Sequence, residues 1–172
     1  MDSHGRMIFR ISAKLAKKIH LDYDQLLPPS ANPFLDWSAH LFTADRTQYI
    51  LITNTATLYS MVIYGKGVTH DSLFLRDTIA AIRDVLEADG FSSVLQRVIG
   101  PAAYQVTLAK RQNRSVIGSM NDLIYQARLR LIEQGFSPYD TSFYLNDVPM
   151  SYIDYQSPRE AFQSMVQKHP AG

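Results

Sequence analysis

Three β-patterned runs follow one another in this chain with almost nothing between them: SAHLFTA from Ser38, TQYILITN from Thr47 and TLYSMVIYG from Thr57. Each alternates or clusters β-branched and aromatic residues, the composition of strands half-buried on a pleated surface. The polar breaks Asp45-Arg46 and Asn54-Thr55-Ala56 have hairpin length, so the spacing predicts a three-stranded antiparallel meander. Strands bunched in mid-chain, rather than alternating with helices, point to an α+β fold.

The flanks supply the remaining elements. MIFRI, Met7 to Ile11, reads as a short strand, with Ser12 as N-cap for AKLAKKIHL, where Leu15 and Ile19 share one face and Lys14, Lys17 and Lys18 point elsewhere. LLPPSANPFLDW carries three prolines and is expected to be a loop anchored by its apolar residues. After Gly65-Lys66-Gly67, a helix is predicted through DSLFLRDTIAAIRDVLEADGF, with Leu73, Leu75, Ile79, Ile82 and Leu86 inward and Gly90 as C-cap. SSVLQRVIG should be a short helix ended by Gly100-Pro101, and YQVTLAK a half-buried strand. In SVIGSMNDLIYQARLRLIEQG an apolar stripe of Val116, Met120, Leu123, Ile124, Ala127 and Leu131 marks the best-defined helix, ended at Gly135. SPYDTSFYLNDVPMSYIDYQ reads as irregular, and Ser157-Pro158-Arg159-Glu160 as the capping box of a last helix. The expected architecture is one α+β domain over 7–172, a mostly antiparallel sheet of the meander plus an N-terminal and a later strand, with helices packed on it. Residues 1–6 are expected to be a leader or cloning remnant.

Composition narrows the chemistry. No cysteine among 172 residues removes disulfides, thiolate metal sites and cysteine nucleophiles, and suits a reducing cytoplasm. Seventeen Lys and Arg against sixteen Asp and Glu leave no global field toward nucleic acid or an acidic membrane, so any such binding is local. No apolar run approaches the roughly 20 residues of a membrane span. No HExxH, HxxxH or EF-hand pattern occurs, and Asp22-Tyr23-Asp24 reads as a solvated turn, so no metal or cofactor is expected. Trp37, Tyr49, Tyr59 and Tyr64 are read as sheet and core aromatics, and His40 as a half-buried imidazole hydrogen-bonded to backbone.

One stretch, NRSVIGSMND from Asn113 to Asp122, combines arginine, two serines, a glycine and an acid where a strand hands over to a helix. The positive end of that helix, with Lys110, Arg111 and Arg114 upstream and Ser115 and Ser119 within it, could take an anion or phosphate. The same residues read first as a helix start, with Ser115 as cap, Gly118 allowing close approach of another element, and Ser119 with Asp122 repeating a capping pattern. A serine nucleophile at Ser115 or Ser119 lacks a GxSxG elbow and would need a histidine in reach. Binding of nucleic acid would need Lys14, Lys17 and Lys18 side by side with Lys110, Arg111 and Arg114.

LAKKI, NPFLDWSAHLF, YILITNTATLYSMVI and above all NRSVIGSMND resemble an uncharacterised bacterial family, a domain of unknown function whose members occur as small stand-alone chains and beside or fused to plasmid-borne domains. The resemblance implies a bacterial or mobile-element origin and one intact domain, and brings no catalytic residue; His40 departs from it, where a smaller amide-type residue is expected. Together these readings favour a non-enzymatic, cytoplasmic protein that binds another protein or itself, with many tyrosines suited to interfaces. A phosphate or nucleic-acid binder using Lys110 to Ser115 is the second reading, and a serine hydrolase the third.

Overall fold

The computed structural model describes residues 5–169. Of the expected leader, the first four residues, His4 among them, lie outside the described residues.

The meander forms as expected. β2 (Asp36–Ala44) and β3 (Thr47–Asn54) pair antiparallel, and β3 pairs antiparallel with β4 (Ser60–Tyr64). The first hairpin closes on Asp45 and Arg46 alone, both at positive φ (47° and 68°), the twist-matching geometry of a two-residue turn. The second break is longer than expected. Thr57 to Tyr59 stay outside β4 because Asn54 Oδ1 accepts from both the backbone N–H and the hydroxyl of Thr57, and Leu58 is held at φ 63°.

β1 (Met7–Ile11) and β5 (Val106–Lys110) complete a five-stranded sheet in the order β4-β3-β2-β1-β5. β1 lies parallel to both neighbours, so the sheet is mixed, with the antiparallel meander on one side and a parallel half on the other. Strand alternation then divides the residues between two cores. On one face Met7, Phe9, Ile11, Trp37, Ile50, Ile52 and Met61 pack against helices; on the other Phe42, Tyr49, Leu51 and Val62 do so.

α1 (Ala13–Lys18) follows β1 directly, its start capped by Ser12, whose hydroxyl accepts from Leu15 N at 3.2 Å. α2 (Asp71–Ala88) buries Phe74, Thr78, Ile82, Val85 and Leu86. Its stripe is rotated from the expected one: Leu73, Leu75 and Ile79 are only half-buried, because Phe74 takes the core position against Phe9. Gly100-Pro101 does not end the next helix. α3 (Ser92–Val94) runs through a π-helical turn, Leu95–Ile99, into α4 (Gly100–Ala102). The widened turn absorbs the missing N–H of Pro101, and a Cβ on Gly100 would stand 2.9 Å from the Leu95 carbonyl oxygen. α5 (Arg114–Arg128) buries the expected stripe against the second face except Leu131, which is half-buried in the π-helical turn Leu129–Glu133 that follows. The stretch read as irregular contains α6 (Pro138–Leu145), capped by Ser137, and α7 (Pro158–Lys168) carries the expected capping box between Ser157 and Glu160.

Candidate functional site

β1 and β5 point the same way and end side by side, at Ile11 and Lys110. From β1 the chain winds to β2 on one side and later to β5 on the other, so β1 is the topological switch point of the sheet. In open sheets a crevice forms outside the carboxyl ends of parallel strands at such a point. Here both strand ends hand over to helices, β1 to α1 and β5 to α5, and the space between is an open groove of about 520 Å³.

The groove brings together Lys17 from α1, Lys110 and Arg111 from the end of β5, and Tyr23 and Asp22 from the following loop. Lys14 and Arg111 both act on His40, so the α1 cations and the β5 cations share one corner of the molecule. Lys18 does not join them; its ammonium bonds Gln48 Oε1 at 2.8 Å.

Arg111 is the half-buried member. Its guanidinium has no carboxylate in ion-pair range among the described residues, and its side-chain contact is Met120 Sδ at 3.9 Å, a weak acceptor. Burial pulls the guanidinium below its ordinary range, with the Tyr23 phenol opposing. Burial raises Tyr23 in turn, and its hydroxyl donates to the Ile11 carbonyl at 2.6 Å. Beyond Arg111 lies a smaller cavity of about 90 Å³, whose wall includes Arg10, Asp36, Ser38, Thr55 and Asn113. Arg10 and Asp36 form a buried bidentate pair there at 2.8 Å. The other Arg10 donors hold the carbonyls of Leu27 and Pro28, and Gln112 also holds Leu27. The first half of the proline-rich loop is therefore strapped by hydrogen bonds, with Leu26 64% exposed, while Phe34, Leu35 and Trp37 anchor its end in the core as expected.

The opening of α5 differs from expectation in its details. Asn113, not Ser115, is the N-cap: its Oδ1 accepts from Ser115 N at 3.0 Å and Val116 N at 3.1 Å. An amide at this position reaches two orphan donors at once and leaves Ser115 inside the first turn. Ser119 is buried and donates to the Ser115 carbonyl at 2.8 Å, within its own helix, so it repeats no cap with Asp122. Gly118 approaches nothing, since a Cβ there would meet no atom within 4 Å. Arg114 and Ser115 stand exposed beside the groove, and Arg114 forms no ion pair with Asp122 among the described residues.

His40 is not satisfied by backbone. It projects from β2 on the face of Phe42, opposite Trp37, and its Nδ1 is buried with no hydrogen-bond partner among the described residues. Burial, then Arg111, Lys14 and Arg128, lower its pKa to about 4. Among the described residues, the serine that bonds a histidine is Ser72, 2.9 Å from His70 Nδ1 at the exposed start of α2. Among the described residues, no group of three or more His, Cys, Asp or Glu could hold a metal ion, and no helix is long and apolar enough to cross a membrane.

Tyr23 was not legible as a site residue, and Lys17 was legible only as one of three basic residues of α1, with nothing to single it out from Lys14 and Lys18. Their signal lay in topology: two strand-to-helix handovers become neighbours only if β1 and β5 run parallel.

A family model described as a domain of unknown function (DUF6933) matches residues 8–161. No curated protein matches the chain.

Proposed function

The chain belongs to that family, which brings no activity with it, and we propose that the protein acts by binding, with the groove at the ends of β1 and β5 as the seat of a phosphate-bearing ligand. The observation that carries this is Arg111, a half-buried guanidinium without a carboxylate partner among the described residues. A desolvated charge costs several kcal/mol unless an opposite charge offsets it. Lys110 and Lys17 line the same groove, and Lys14 adds to the local field at His40. Asp22 is the carboxylate on the wall, exposed and unpaired with Arg111.

Side chains rather than the helix start hold the anion, since Asn113 already occupies two of the α5 N–H groups. Exposed Arg114 and Ser115 extend the positive surface for a longer ligand such as a single strand of RNA; Ser119, turned into its helix, adds nothing. A chain without cysteine suits the cytoplasm.

The test is thermal stability and binding with inorganic phosphate and, separately, a short single-stranded RNA. Each arm names one source of the same anionic chemistry. Arg111→Met should lose the ligand-induced rise in melting temperature while the unliganded variant melts no lower than the parent. Affinity for RNA should fall steeply with salt, in proportion to the phosphates contacted. Unchanged affinity of Arg111→Met for both probes, or no response of the parent to either, would sink the reading.

A further inference from the structure

At its other end and outer side, β5 offers a different surface. The sheet stops there. Inward peptide groups of β5 bond β1, as in Met7 N to Gln105 O at 2.9 Å and Arg111 N to Ile11 O at 3.3 Å. The alternation of a parallel strand turns the peptide groups of Val106, Leu108 and Lys110 outward. Lys110 N is taken by the Gln25 carbonyl at 2.8 Å, which leaves Val106 and Leu108 with no backbone partner on that side among the described residues. Unpaired edges of this kind are templates for a further strand, and this one is neither bulged nor interrupted by proline.

Near the start of β5 lies an apolar groove of about 770 Å³. Met7, the register partner of Val106, forms part of its wall with Ile79, Ile82, Leu95 and Ile99. Tyr104, 92% exposed, stands where the groove meets the strand. The Val106 and Leu108 side chains lie on this same face of the sheet. A strand laid along the edge would turn every second side chain toward the groove.

Charge decides between occupants. Arg83 lines the groove, exposed Lys110 closes the edge, and on the opposite face of the sheet, where the alternate side chains of an added strand would point, Arg6 donates to Thr107 Oγ1 at 3.3 Å. All three are cations, from three separate segments. A second copy paired through β5 would crowd the same three cations against their equivalents, whereas an acidic segment would meet them with opposite charge.

We propose that the β5 edge and its groove dock an extended segment of a partner protein, with aliphatic residues alternating with acidic ones, which adds a sixth strand beside Val106 and Leu108. The site shares only Lys110 with the anion groove, which otherwise uses the opposite end of β5, and its test substitutes neither Lys110 nor Arg111. The probe is a fluorescein-labelled peptide of about eight residues alternating Val and Glu, with a Val/Lys peptide as its counterpart, read by anisotropy against the intact protein. The Val/Glu peptide should bind at least tenfold tighter than the Val/Lys peptide. Leu108→Pro removes an outward N–H without touching the β1 ladder, as edge strands tolerate, and should abolish binding. Arg6→Glu, at an exposed position on the face that the charged side chains of the peptide would take, should erase or invert the preference between the two peptides, and serves if Leu108→Pro does not fold. Equal binding of the two peptides, or binding unchanged in both variants, overturns the proposal. Concentration-dependent dimerisation lost in Leu108→Pro would assign the edge to a second copy instead and overturn it equally.

Discussion

His40 and Gly118 show how single residues carry costs that the fold itself does not recover. The imidazole of His40, held near 4 by burial and by Arg111, Lys14 and Arg128, is neutral in the folded chain down to that pH, while an unfolded histidine titrates near 6.5. Between these values the unfolded state binds more protons, so stability falls as pH drops from about 6.5 to about 4, by roughly 2 to 3 kcal/mol. Urea midpoints measured across that interval should show the loss, and His40→Asn should flatten it; an unchanged slope in the variant would place the acid sensitivity elsewhere. Gly118 costs the helix interior about 1 kcal/mol relative to alanine. Since no atom lies within 4 Å of a Cβ there, Gly118→Ala should raise the melting temperature. A fall would mean that the glycine serves a close approach within the chain. Neither residue's environment was readable beforehand: histidine and glycine look alike in sequence whether satisfied or not, and only neighbours distant in the chain decide.

At the scale of elements, the β4 edge is protected where the β5 edge is not. Asn146 accepts from Ser60 N at 2.8 Å and donates to Ser60 O at 2.9 Å, so one side-chain amide stands in for the peptide of a further strand. Ser142 Oγ accepts from Val62 N at 2.9 Å, one turn earlier on α6. Asn146 is fully buried, and its replacement by alanine leaves both Ser60 groups unsatisfied, a loss of about 2 to 4 kcal/mol. Chemical denaturation of Asn146→Ala should show it; a loss below about 1 kcal/mol would mean that water reaches the edge. α6 went unread in the sequence because its apolar periodicity is weak. What makes it a helix is the Ser137 cap with Pro138 behind it and its contact with β4, and the contact is tertiary. The capping box of α7, the hairpin at Asp45-Arg46 and the stripe of α5 were readable because their causes are local.

In the whole molecule, two cores share one sheet. Met61 reports one face and Met120 the other, and every strand of the meander contributes to both. The chain should therefore unfold as a unit, with Met61 and Met120 methyl resonances and far-UV circular dichroism changing at one urea concentration. Separate midpoints for the two methyls would split the molecule into independently stable parts. By itself the sequence determined the α+β class, the meander, β1, β5 and the main helices, because hydrophobic period, turn residues and caps act within a few positions of one another. Only the tertiary structure decided that β1 runs parallel to both β2 and β5, that Arg111 lies between two cavities with no carboxylate in ion-pair range among the described residues, and that one sheet edge is closed and the other open. Those outcomes depend on strand direction and order, and the energies that select them come from contacts between residues tens of positions apart, which no local pattern records.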